Sequence, residues 1–226
     1  MSLIVAFAAL LAGVVVWGLL ARRLTAKPWE PSVAPEEIEA GSTAGMPPAK
    51  IGLWAFLGVI TSLFGLFISA YWMRMGHAHA DHGDWNPIAV PRQLWVNTAL
   101  LILSSAAMQW ARSAASHARA DHVRAGLIAG GAFAWTFLAG QLLAWRQLNA
   151  SGFMVNNPAV AFFYLLTGVH GLHLLGGLLV WGKTIVKMTR PGVELVDLRL
   201  SVELCTVYWH YLLLVWLVLF GVLLST

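Results

Sequence analysis

Three groups of residues in this chain carry side chains able to do chemistry. His170 and His173 lie in the stretch FFYLLTGVHGLHLLGG, within an apolar run from Pro158 to about Val186. Three residues apart, they share one face of a helix. Such a pair can ligate a metal or a haem iron, but a closed site needs further ligands. The other reading is two neutral imidazoles hydrogen-bonded to neighbouring helices or to lipid headgroups. Gly168, Gly171, Gly176 and Gly177 surround the pair, and glycine lets a helix or a lipid chain approach the backbone closely. A second stretch, VELCTVYWHYLLLVW, adds Glu203 and His210 on one helical face. His210 can supply a third nitrogen. Glu203 can sit at the headgroup boundary near the cytoplasmic start of its helix, pair with His210 or an inner basic residue, or take up protons. The third group is HAHADHGD, residues 77–84, where His77, His79 and His82 have ligand types that suit copper or zinc. Such runs are more often solvated loops, and no metal site is assigned on this basis.

The elements that must position these groups are apolar. The chain is 59% hydrophobic and only 11% charged, against about a quarter charged in a soluble domain. This composition predicts an all-α, multi-pass membrane bundle, since each spanning helix closes its own backbone hydrogen bonds. Six spans are expected: Ser2–Ala21, Ile51–Met73, Leu94–Trp110, Arg124–Trp145, Pro158 to about Val186, and Val202–Leu224. Residues 1–22 read as an N-terminal anchor, 23–50 as an irregular cytoplasmic linker rich in Pro, Gly, Ser and acids, and 51–226 as a five-helix bundle. Arg22, Arg23, Lys27, Lys50, Arg112, Arg119, Arg124, Lys183, Lys187, Arg190 and Arg199 fall on one side, and Arg74, Arg92 and Arg146 on the other. That asymmetry predicts both termini outside the cytoplasm.

The net charge of +4 comes without a basic patch interleaved with aromatics, so nucleic acid is not an expected partner. The single cysteine, Cys205, excludes an internal disulfide and reads as a packing residue. Asn97, Thr98, Ser104, Ser105 and Gln141 are expected to bond between helices, and Gly130 and Gly131 to serve packing. Trp17, Trp54, Trp72, Trp95, Trp110, Trp145 and Trp181 sit near span ends and suit an interfacial belt. A secondary transporter would show repeated halves and broken helices, and no repeat is visible. A stand-alone membrane haem or copper protein stays open as a different class.

The motif T-G-x-H-G-x-H-x-x-x-G, followed by E-x-x-x-x-Y-W-H through Glu203, Tyr208, Trp209 and His210, resembles subunit III of the haem–copper terminal oxidases. The resemblance covers roughly Lys50 to Thr226. It includes an N-T-x-x-L-x-x-S-S pattern through Asn97, Thr98, Leu101, Ser104 and Ser105. It implies a subunit without a redox centre that packs against oxidase subunit I, which carries the haems and copper, with subunit II also in the complex. It further implies bound phospholipid between the N-terminal helices and the bundle, a bacterial cytoplasmic (inner) membrane location, and support for a proton-pumping complex that reduces oxygen to water. Cytochrome c is the expected donor. A quinol oxidase or nitric oxide reductase accessory subunit is the alternative. His170, His173, Glu203, Trp209, His210, Gly168 and Gly171 would then seat lipid or neighbouring subunits. The chain departs from the family pattern where acids are usual. Ile60 stands in the F-L-x-S-E segment, Leu213 ends the Y-W-H segment, and Ala144 lies near Gln141. A direct proton relay through this subunit is therefore not expected.

Overall fold

A computed structural model describes residues 47–80, 85, 91–150, 157–189 and 195–225. The expected anchor over residues 1–22, most of the linker, and His82 lie outside the described residues. Five helices follow in chain order: α1 (Pro48–Ala80), α2 (Gln93–Ser116), α3 (Ala120–Ala150), α4 (Pro158–Met188) and α5 (Leu195–Leu224). All five are long and apolar enough to cross a membrane. The all-α expectation holds over the described residues.

Every helix runs past the expected hydropathy limit at one end or both, although α4 starts at the expected Pro158 and α5 ends at the expected Leu224. α3 and α4 each have 31 residues. At 1.5 Å per residue that is roughly 46 Å, close to the bilayer with its headgroup layers and not only its core. Hydropathy marks where charge begins, whereas the helix continues through the polar zone. Two expectations change as a result. Residues 77–80 continue α1 and are not loop, and Glu203 lies two turns inside α5, not at its start.

Local sequence sets the helix ends. Asn157 caps α4 by accepting the Ala159 N–H at 3.1 Å, and Pro158 takes the first helical turn, where its missing N–H costs nothing. Between α2 and α3 the chain reverses in three residues. Arg119 N bonds Ala114 O at 3.0 Å and Ala118 N bonds Ala115 O at 3.4 Å, with Ala118 at φ 54°. This is a Schellman closure, and the left-handed position usually holds glycine. Ala118→Gly is expected to stabilise the protein by about 0.5 kcal/mol, the relief of Cβ crowding less the extra chain entropy. Thermal unfolding in detergent measures it.

Small residues bring the helices together, as membrane packing requires. A Cβ on Gly126 would lie 2.9 Å from Ala111 Cβ, and one on Gly130 would lie 2.8 Å from Met108 Cε, joining α3 to α2. Gly131 receives the Trp181 ring of α4, and Gly177 receives Tyr208 of α5. α1 packs on α5 and α4. Tyr211 donates to Leu57 O at 3.2 Å, and the Tyr71 ring meets Phe162 edge-on at 5.6 Å. Cys205 is buried beside Thr184, as expected of a packing residue.

Candidate functional site

The deep polar residues bond mainly to one another. Asn97 Nδ2 donates to Gln141 Oε1 at 3.2 Å, and Gln93 Nε2 donates to Asn97 Oδ1 at 3.2 Å. Ser104 donates to Gly130 O at 2.6 Å and accepts from Trp209 Nε1 at 2.8 Å. Trp216 Nε1 donates to Thr98 Oγ1 at 2.9 Å. Thr206 Oγ1 lies within bonding range of Met108 O on α2 and Val202 O on its own helix, at 3.1 and 2.8 Å. With no hydrophobic force between helices in lipid, these bonds and close packing hold the bundle. The reading of Asn97, Thr98, Ser104 and Gln141 as interhelical bonders is met.

Indoles take a larger part than expected. Trp145 donates to Thr167 Oγ1 at 3.0 Å, and Trp181 donates to Leu127 O at 2.8 Å. Both are half-buried pins between α3 and α4, not members of an interfacial belt. Trp54, Trp72, Trp95 and Trp110 are exposed on the bundle surface, as a belt requires.

The three motif histidines go to three environments. His170 is fully buried, ringed by Phe64, Phe137 and Trp216 at centroid distances of 6.5, 5.9 and 5.2 Å. Neither of its ring nitrogens has a hydrogen-bond partner among the described residues, so the expected bond to a neighbouring helix is not made. Its burial makes it a packing residue inside the bundle. His173, half-buried, donates from Nδ1 to Val169 O of its own helix at 2.8 Å and packs on Phe64 at 5.5 Å. His210 faces outward from α5. Its Nε2 donates to Gln109 Oε1 at 3.1 Å, which leaves Nδ1 to accept from the Ser105 hydroxyl. Among the described residues, no three His, Cys, Asp or Glu side chains gather as metal ligands.

Glu203 pairs with inner basic residues and not with His210. Its Oε1 lies 2.9 Å from Lys50 Nζ and 3.3 Å from Arg112 Nη2, tying α5 to α1 and α2. Beside it a cleft of about 360 Å³ is lined by Gln109, Arg112, Ser113, Ser116, Arg199 and Glu203. Gln109 is the residue that sequence reasoning missed. Its spacing of four from Ser105 put it on His210's side of α2.

Among the described residues, no helix closes tightly on Gly168 or Gly171. Added Cβ atoms would come no closer than 3.6 Å to Trp145 and 3.8 Å to Leu138 of α3. They line an apolar groove of about 340 Å³ with Trp135, Leu138, Trp145 and Leu172.

A bundle of long apolar helices, locked by buried hydroxyl, amide and indole bonds, defines a multi-pass membrane protein built around helix–helix seating. Its family follows from comparison. A sequence model of the family described as cytochrome c oxidase subunit III matches residues 15–225. Cytochrome c oxidase subunit 3 of Synechocystis is 31% identical over 188 residues, covering 80% of this chain and 78% of that protein. The protein of the same name from Thermostichus vulcanus is 29% identical over 176 residues, covering 76% and 85%. Cytochrome bo(3) ubiquinol oxidase subunit 3 of Pseudomonas aeruginosa is 28% identical over 181 residues, covering 76% and 81%. This chain belongs to the cytochrome c oxidase subunit III family of the haem–copper oxidases, and as such associates with other oxidase subunits.

Proposed function

We propose that the chain is a non-catalytic subunit of a proton-pumping respiratory oxidase in a bacterial cytoplasmic membrane. It steadies the haem- and copper-bearing subunit I, contacts subunit II and binds phospholipid while the complex reduces oxygen to water. One observation carries this reading. Deep polar side chains are used in bonds between helices, from Trp209 through Ser104 to Gly130 and from Asn97 to Gln141, while the motif imidazole of His170 is packed among aromatic rings. The missing acids agree with it. Ile60 and Ala144 are buried among apolar neighbours, and an alkyl group there cannot pass a proton. The distribution of lysine and arginine favours both termini outside, with residues 1–22 as an additional anchor.

Cytochrome c is the donor favoured by the names of most of the relatives quoted. The ubiquinol oxidase relative makes a quinol-fed complex the second reading. Purification in mild detergent tests the proposal. The chain should co-migrate with a partner that shows a Soret band, and the isolated chain should show none. Haem or copper bound stoichiometrically by the isolated chain would overturn it. Oxidation of reduced cytochrome c, compared with that of ubiquinol by the same complex, decides the donor.

A further inference from the structure

The outer surface of the bundle is not uniform. Along the middle of α3 and α4 the exposed residues are mainly apolar, such as Trp135, Leu142, Leu172 (66% exposed) and Leu179 (71% exposed), which suits lipid tails. The face between α2 and α5 differs. His210 sits at the midpoint of α5, fifteen residues from Leu195 and fourteen from Leu224, and it is exposed on that face. Gln109, also exposed, lies roughly 7 Å along α2 from the helix midpoint and within the expected span Leu94–Trp110. Ionisable and amide side chains at such depth face protein or water, not lipid tails. The imidazole is satisfied by Gln109 and Ser105, but the described residues offer no acceptor to the Gln109 amide N–H groups. Toward the Arg112 end, the same face gathers Lys50, Arg112 and Arg199 against the single carboxylate of Glu203.

We infer that the α2–α5 face receives a transmembrane helix of another oxidase subunit. That helix presents a hydrogen-bond acceptor opposite Gln109 and a carboxylate opposite Arg112 and Arg199. This rests on the accessory-subunit reading above. Other occupants fit less well. Lipid tails carry neither an acceptor for Gln109 nor a carboxylate for Arg112 and Arg199. The expected first span, Ser2–Ala21, has two polar side-chain groups, the Ser2 hydroxyl at its outer end and the Trp17 N–H, a donor, so it carries no carboxylate for Arg112 and Arg199 and no acceptor along its apolar length. A second copy about a two-fold axis would bring two like clusters together, each with Lys50, Arg112 and Arg199 against one Glu203, leaving the excess positive charge unpaired.

Photocrosslinking in the intact complex, in its native membrane, tests the assignment. A benzophenone side chain replaces Ala106 or Leu214, which flank the polar patch and are both exposed. Leu172 and Leu179 serve as control sites. Adducts to another oxidase subunit are expected from 106 and 214 at about ten times the yield from the controls. Gln109→Leu should cut the yield from 214 about tenfold. An unchanged yield with Gln109→Leu overturns the acceptor. Adducts from 106 and 214 to lipid alone, to this chain itself or to a second copy overturn the docking assignment, as does their absence from a complex that still co-purifies. Failure of the unaltered chain to co-purify with any haem-bearing subunit overturns the accessory reading instead.

Discussion

Trp209→Ala is expected to destabilise the chain by about 3–5 kcal/mol, the range for deleting a large, fully buried aromatic side chain. Trp209 is inaccessible to solvent. Its indole touches two other helices and reaches a third through a shared hydroxyl. Nε1 donates to Ser104 of α2, whose hydroxyl donates onward to Gly130 O of α3. The ring also lies against Gly177 of α4, where an added Cβ would come within 3.2 Å of Cζ3. In a bilayer, apolar burial does little to favour one helix contact over lipid, so the loss comes from packing and hydrogen bonding. Alanine removes both and opens a cavity enclosed by protein, beyond the reach of lipid chains. Trp209→Phe separates the two contributions. It keeps most of the ring contact and loses the N–H, so its cost should fall to about 1–2 kcal/mol. Leu172→Ala, on the lipid face, should stay within about 0.5 kcal/mol of the parent. Reversible denaturant titration in mixed micelles measures all three. Equal effects of Trp209→Ala and Leu172→Ala would show that this indole does not hold the four helices together.

The tryptophans also show what the sequence discloses and what it conceals. Hydropathy places each near a span end or a span centre. It does not give the direction each ring faces around its helix, which depends on the neighbouring helix. Trp145 and Trp181 have the same sequence signature as Trp54 and Trp110, yet they turn inward onto Thr167 and Leu127 O. The hydroxyl and amide residues were more legible. A polar side chain in an apolar span has few acceptable environments, and a bond to a neighbouring helix is the commonest. Glu203 follows the same logic. A carboxylate at that depth needs a cation, and Lys50 and Arg112, two of the basic residues grouped on one side by the charge pattern, supply it. His170 could not be read this way. Its aromatic enclosure is assembled from α1, α3 and α5, and no local pattern within α4 encodes it. The exposure of His210 was hidden for the same reason, since the motif fixes its depth and not its outward aspect.

Glycine substitutions separate the contacts made within this chain from the surfaces left open, and the two sets should respond with opposite sign. Gly131→Ala would place its Cβ 2.2 Å from Trp181 Cζ2 and 2.5 Å from Cε2. The indole cannot retreat freely, because its Nε1 is bonded to Leu127 O at 2.8 Å. Overpacking of this kind costs about 1–3 kcal/mol, and breaking the bond to let the ring move adds about 1 kcal/mol. A loss of about 2–4 kcal/mol is expected by the same titration. Gly171→Ala meets only Leu138 Cδ2 at 3.8 Å, an ordinary contact. Alanine is the better helix former by up to about 1 kcal/mol, so the isolated chain should be unchanged or slightly more stable. Gly131, expected to serve packing, and the motif glycine at 171 thus differ by function. One is occupied by this chain's own α4, and the other opens onto the groove beside Trp145 and Leu172. If Gly171→Ala weakened the assembled complex while leaving the separate chain intact, the glycine would be reserved for a neighbour outside the bundle. Equal destabilisation of the isolated chain by both substitutions would show instead that α4 packs more tightly against α3 near Gly171 than the 3.8 Å separation allows.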